Sequence, residues 1–376
     1  MCDILYSTML DWINPLTAYR SFRRNLFPSY LGVDIGTTSI KVVEVKPGRK
    51  MPAVVNYGFS EESKYLGRPT SAIQSSNLKL FDQEATEILT SIIGKMKPQT
   101  RDVIASFPIF SAFVTLLDLP EMTPGELQNS IAFQAKQYIP LPISEVSLEW
   151  IKVGEFDDDK GYHHQQILLL SVPLEHIAKF KKVFETAGLN LRWLELESLS
   201  VGRILVGNDP TPTAVVDIGS RSTNIAFFEG GQLRFNGQSD FGGASLTQAL
   251  ASSLNINSRR AEELKKERGL VGSGAEYELS TIMLPFLDAI LGDVKKQEFN
   301  YSSQFTNVKP VERIILSGGG ANLLGIEKYV ERELGRPTVK ASPFLRFEYP
   351  PLMEPLIPQL NPLFTVALGL GMKELV

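Results

Sequence analysis

Cysteine is almost absent from this chain. Cys2 is the single one among 376 residues, which excludes an internal disulfide framework, cysteine-ligated zinc and a Cys-X-X-Cys cluster site, and makes a reducing, cytoplasmic setting the expectation. Histidine is scarce too: of three residues, His163 and His164 are neighbours, so on a strand they point to opposite faces and are poorly placed to share a metal. Neither sign of charge dominates, with 38 Lys and Arg against 42 Asp and Glu. No basic run interleaved with aromatics marks a nucleic-acid surface, and none is expected. No hydrophobic run approaches the roughly 20 residues a helix needs to cross a bilayer. The start is not a signal peptide, because Asp3 and Asp11 interrupt its apolar residues and Arg20, Arg23 and Arg24 follow them. Two readings of residues 1–28 stay open. Leu5, Met9, Trp12, Leu16 and Tyr19 recur at helical spacing with a basic end, as on a membrane or partner surface, although Pro15 would kink that helix; the alternative is a loosely packed extension.

What the chain does have is one sentence written twice. Leu31-Gly-Val-Asp-Ile-Gly-Thr-Thr-Ser-Ile-Lys41 reappears as Ala214-Val-Val-Asp-Ile-Gly-Ser-Arg-Ser-Thr-Asn224. Each copy reads as a buried strand, an aspartate, a glycine turn rich in hydroxyls and a second β-branched strand. Glycine exposes backbone N–H groups, hydroxyls donate to phosphate oxygens, and an aspartate can hold a hydrated divalent cation. A lone copy is more often just a hairpin turn. Two copies half a chain apart predict two similar domains with their aspartates facing across a cleft.

Between and beyond the copies, the pattern predicts a helix over 81–96, strands over 102–107 and 112–119, and a helix opened by a capping box of Thr123, Pro124 and Glu126. Strands over 146–153 and 165–172, joined by the acidic turn Asp157-Asp-Asp-Lys-Gly161, precede a helix over 174–187. Residues 102–191 are thus expected to form a compact α+β insert without evident chemistry, inside a first domain made of 29–101 and 192–212. The second domain is expected to occupy 213–376, with a helical part over about 244–305. Within it Gly242 and Gly243 open a helix, and Ser317-Gly-Gly-Gly-Ala-Asn322 joins a buried strand to another helix, a geometry that lets backbone lie flat against a ligand. The stretch from Pro343 to Pro362 reads as extended surface chain, and 363–375 as a closing apolar helix.

In this order the pieces resemble the actin-like ATPase superfamily. The resemblance implies an α/β fold of two duplicated, ribonuclease H-like domains around a nucleotide cleft, with ATP or ADP and Mg2+ as cofactors. Matched motif by motif, Asp34, Gly36, Thr37, Thr38 and Lys41 look like the first phosphate loop. Asp217, Gly219, Ser220, Arg221, Ser222 and Thr223 look like the second, and both aspartates would reach the metal through water. Glu197 falls where relatives orient the attacking water, so the catalytic set implied is Asp34, Glu197 and Asp217. Glu262 and Lys265 look like the ribose and adenine contacts, Gly318, Gly319, Gly320 and Asn322 like the adenosine loop, and Gly242 and Gly243 are expected among the nucleotide-binding residues.

The insert narrows the resemblance. A small α+β unit between the first phosphate loop and Glu197 is a trait of FtsA and of the PilM family of type IV pilus proteins. Leu119-Pro-Glu-Met-Thr-Pro-Gly-Glu-Leu127 and Ala135-Lys-Gln-Tyr-Ile-Pro-Leu-Pro-Ile143 are more similar to PilM. This implies a cytoplasmic scaffold, peripheral at the inner membrane, that binds the N-terminal tail of a PilN-like protein and contacts the pilus assembly ATPases, with an oligomer open. Alternatives are an FtsA-like division protein, a GspL-like secretion protein, or a kinase or ATPase on the same fold. Ser220 and Arg221 replace glycines of chaperone-like relatives, so at most slow ATP hydrolysis is expected.

Overall fold

Two five-stranded sheets repeat one plan. In the first, β3 (Ala53–Glu61), β2 (Ser39–Lys46), β1 (Tyr30–Ile35), β4 (Asp102–Phe107) and β8 (Asn190–Leu196) lie side by side in that order. In the second the order is β11 (Gln232–Ser239), β10 (Thr223–Glu229), β9 (Thr213–Ile218), β12 (Arg313–Ser317) and β13 (Thr338–Lys340). β1 pairs antiparallel with β2 and parallel with β4, as β9 does with β10 and β12. This computed structural model describes residues 29–61, 77–109, 112–271, 275–305 and 308–375; the expected extension at 1–28 lies outside them.

Helices cover both faces of each sheet, which is why β1 and β4 are buried at every residue and read as continuous apolar runs rather than alternating ones. α1 (Asn77–Met96) and α3 (Leu174–Thr186) pack Leu89, Ile93, Phe180 and Phe184 with Val33 and Ala105 on one face of the first sheet. The other face is covered by α4 (Glu197–Val201) and by the chain's last helix, α10 (Thr365–Gly371). α10 rests directly on backbone: a Cβ on Gly32 of β1 would lie 2.0 Å from the Ala367 carbonyl oxygen, and one on Gly369 would lie 2.2 Å from that of Ser200. Only glycine allows these approaches. A buried carboxylate secures the crossing, since Glu195 of β8 accepts from Arg203 and, at 2.9 Å, from Lys373. Over the second sheet lie α5 (Gly243–Leu254), α6 (Ser258–Arg268) and α7 (Ala275–Gln304). α8 (Ile326–Leu334) and α9 (Ile357–Leu363) complete that half.

The insert has its own sheet, ordered β5 (Phe113–Pro120), β7 (His163–Pro173), β6 (Val146–Asp157), all antiparallel. Against it packs α2 (Pro124–Tyr138), giving a separate core of Leu117, Ile131, Ala135, Ile167 and Leu169. The capping box is formed: the Thr123 hydroxyl accepts from the Glu126 amide, and the Thr123 amide donates to the Glu126 carboxylate at 2.9 Å. The expected limits of 102–191 are too wide. Residues 102–107 are β4, a central strand between β1 and β8, and 174–186 form α3, which leaves the insert's sheet and packs on α1.

The stretch from Pro343 to Pro362 also departs from expectation. It folds into 3-10 turns, Pro343–Arg346 and Pro351–Leu356, followed by α9. It is anchored by buried Phe344, Phe347, Met353 and Leu360, because prolines at successive turn starts pre-set φ without preventing helical turns.

Candidate functional site

The two copied turns are closed by the same bond. The Gly36 amide donates to the Ser39 carbonyl at 2.9 Å, and the Gly219 amide to the Ser222 carbonyl at 3.0 Å. A Cβ on Gly219 would sit 2.8 Å from that acceptor, so the tightness of the turn requires glycine. Both turns open onto one cleft of about 750 Å³, to which the first hairpin contributes Asp34, Thr38, Ser39 and Lys41 and the second Asp217, Ile218, Gly219 and Ser220.

Asp34 sits in β1 where Asp217 sits in β9, and the residues directly across the ladders are Lys41 and Asn224. Lys41 Nζ lies 3.0 Å from Asp34 Oδ2, and the Ser106 hydroxyl donates to Asp34 Oδ1 at 3.1 Å. Burial pulls the Lys41 ammonium down, but the charges of Asp34, Asp217 and Glu197 outweigh it and hold the pKa above the ordinary lysine value. Asp217 has no such cation. Burial, with the charge of Asp34, pushes its carboxyl up to about 6 against the opposing Ser317 hydrogen bond and the charge of Lys41, and its Oδ2 is buried without a partner. Glu197, the first residue of α4, lies behind the lining; burial and the charges of Asp34 and Asp217 raise its pKa well above the usual carboxylate range.

The far end of the cleft is glycine backbone and one helix face. Gly318 has φ 81° and Gly320 presses on Ile218; Cβ atoms there would lie 2.8 Å from Asp217 Oδ1 and 2.3 Å from Ile218 Cγ2. Gly318, Gly319, Gly320 and Asn322 all line the cleft, and Asn322 Nδ2 donates to the Gln359 carbonyl at 2.9 Å. Glu262 and Lys265 line it from α6, where Lys265 Nζ donates to Glu262 at 2.7 Å, to the Thr247 hydroxyl at 2.8 Å and to the Gly243 carbonyl at 2.9 Å. Burial raises the Glu262 pKa, but Lys265, Thr247 and Lys266 together hold it below the ordinary value. Gly243 lines the cleft; Gly242, just behind, packs on the second turn, where the Gly243 and Ala244 amides donate to the Gly219 and Ser220 carbonyls.

Gly36, Thr37, Glu197, Arg221, Ser222, Thr223 and Gly242 fall outside the lining. Thr223 is fully buried and its hydroxyl donates to the Phe241 carbonyl at 2.8 Å, so it serves the fold; Arg221 is buried as well. The sequence reading missed Phe59, Arg259, Lys266, Lys340 and Gln359, which line the cleft, and Ser106 and Ser317, which touch its aspartates. The two serines lie near the ends of matching strands, β4 and β12, so laying one half of the sequence over the other reveals them. Lys340 and Gln359 lie in segments without periodicity and give no such signal. Among the described residues no group of three or more His, Cys, Asp or Glu is arranged to hold a metal by itself.

A family model described as type IV pilus assembly protein PilM matches residues 32–375. The cell division protein FtsA of Enterococcus hirae is 22% identical over 342 residues, covering 81% of this chain and 76% of FtsA. Among solved structures, a chain of a PilM-PilN type IV pilus biogenesis complex superposes with a TM-score of 0.75 at 21% identity, covering 92% of this chain and 98% of that one. MreB 5 of Spiroplasma citri bound to AMPPNP gives 0.51 at 15% identity, over 91% and 94%. These likenesses establish the fold as that of the actin-like proteins.

Proposed function

Because the chain belongs to the type IV pilus assembly protein PilM family, we propose that it is a pilus scaffold whose cleft takes Mg-ATP or Mg-ADP and whose surface takes the N-terminal tail of a PilN-like inner-membrane protein. The observation that carries the nucleotide reading is the pair of matching glycine turns, closed by the same backbone bond and set beside two aspartates across one cleft. The donor set also suits a magnesium ion. Three carboxylates face one lysine, and the buried Oδ2 of Asp217 has no partner, as expected of an oxygen meant for a hydrated cation. Asp217 and Asp34 would hold that ion, which when bound supplies positive charge to the phosphate oxygens.

The chain's own groups suit a switch better than a fast enzyme. Glu197 lies behind the cleft lining rather than in it, and burial with the charges of Asp34 and Asp217 raises its pKa, so it is set back from a water held in the cleft. Nucleotide would instead bias closure of the two halves and the surface offered to the tail, and the tail would keep the protein at the cytoplasmic face of the membrane. The partner reading draws on the family and on the solved PilM-PilN complex that shares this fold. The test is a titration of the full chain with synthetic cytoplasmic tails of pilus membrane proteins, with and without Mg-ATP. Saturable binding of one tail, altered by nucleotide, is expected; no binding of any tail would overturn the scaffold reading.

A further inference from the structure

Behind the second phosphate turn, three polar side chains form a closed ring that joins the two halves. The Ser198 hydroxyl donates to Asn236 Oδ1, Asn236 Nδ2 donates to Asn224 Oδ1 at 2.9 Å, and Asn224 Nδ2 donates to the Ser198 hydroxyl oxygen at 3.0 Å. Each member is donor once and acceptor once, an arrangement that fixes both amides and lets each bond polarise the next. Ser198 is buried and belongs to α4, directly after Glu197. Asn224 and Asn236 lie on β10 and β11, where Asn236 is the diagonal neighbour of Asn224 and so within its reach. Asn224 is also the residue directly across the ladder from Asp217, the station that Lys41 holds opposite Asp34. Its amide nevertheless reaches into the other half of the molecule.

We infer that Asn224 is a positioning residue: with Asn236 it holds Ser198, and thereby ties the start of α4 and its Glu197 to the second phosphate turn. The inference rests on the reading of the cleft as a Mg-nucleotide site and adds the route by which occupancy of that site reaches α4. The links are short and contiguous. Asp217 neighbours Asn224 across one rung of the sheet, Asn224 grips Ser198, and Ser198 follows Glu197 in the chain. The helix so gripped continues into the π-helical turn Gly202–Val206 and packs against α10, the element that bridges the halves. A ring of three polar groups beside an apolar core contributes little net stability over apolar side chains of the same shape. What it contributes is one defined orientation of α4 relative to the turn.

The experiment uses the full chain and two readouts: Mg-ATP affinity by calorimetry, and amide hydrogen exchange across residues 197–206 with and without saturating Mg-ATP. In the wild type, Mg-ATP is expected to slow exchange in that segment about tenfold or more. Asn224→Ala and, as an independent break of the ring, Ser198→Ala should keep the affinity within about threefold and lose the slowing. Thr123→Ala, which loosens the insert far from the ring, should keep both. Slowing that persists in both ring variants, or its absence from a wild type that binds Mg-ATP, would overturn the positioning role while the nucleotide reading stands. Loss of affinity in the ring variants would make Asn224 a binding residue instead. A wild type that does not bind Mg-ATP would remove the nucleotide reading itself, and this route with it.

Discussion

Lys41 and Asn224 occupy the same station in two copies of one hairpin, each directly across the strand pair from an aspartate, yet only Lys41 turns back to its aspartate. The backbones of the copies agree down to the glycine bond that closes each turn. The side chains have diverged: the first turn carries its own counter-ion, while the second turn's amide belongs to a ring that includes the other half. The uncompensated negative charge of the cleft therefore lies on the Asp217 side, where burial and Asp34 raise the carboxyl's pKa. A duplicated fold keeps the geometry of the glycine turn and distributes charge and coupling unequally between the copies.

The sharpest way to break that contrast is to take the cation from the first turn. Lys41→Met leaves Asp34 buried with only Ser106 as partner and should cost about 3–5 kcal/mol, read as a fall in denaturant midpoint. An unchanged midpoint would mean the pair is structurally idle. Next in size, Asp34→Ala should weaken Mg-ATP binding at least about 100-fold, about 2.7 kcal/mol; wild-type affinity in that variant would remove Asp34 from the site.

The second turn is tested through pH. Asp217 has a folded pKa of about 6, above the roughly 4 of an unfolded aspartate, so the native state holds the extra proton between those values. Its carboxyl therefore lowers stability progressively as pH rises from about 4 to about 6, and the full cost persists above that. Asp217→Asn should make the nucleotide-free protein more stable than wild type by about 2 kcal/mol at pH 7, and nearly equal to it at pH 4, in urea melts. The same gain at both pH values would show that Asp217 titrates like an exposed aspartate. The smallest effect belongs to the insert, which takes no part in the contrast: Thr123→Ala should cost about 1 kcal/mol through the lost cap and leave Mg-ATP affinity unchanged. Equal loss of both would make insert and cleft one cooperative unit.

What was legible in the sequence was whatever repeats or is punctuated. The copied Asp-Ile-Gly turns predicted two matching hairpins, and Thr123, Pro124 and Glu126 marked the start of α2 to the residue. Illegible were features decided by partners far away in the chain. Residues 102–107 read as a strand in any fold; that they lie between β1 and β8 rather than in the insert is set by burial on both faces, which a short, mostly apolar run does not reveal. Thr223 carries one hydroxyl of the second glycine turn's sequence, but it is the first residue of β10 and faces inward, so the Phe241 carbonyl takes its hydrogen bond. Lys340 reaches the cleft only because β13 pairs with β12, and Gln359 only because proline-rich turns fold back into α9.

The glycine at position 32 carries a consequence for how the molecule is made. The first sheet emerges early in synthesis, but the surface that closes over β1 is the Ala367 carbonyl and the Gly371 amide, nearly a whole chain later. Until the segment from Thr365 onward docks, the central strands present a bare face, a ready substrate for chaperones or for a neighbouring unfinished chain. Docking of α10 is the event that seals the first half, so the contact of greatest sequence separation decides when that half is protected.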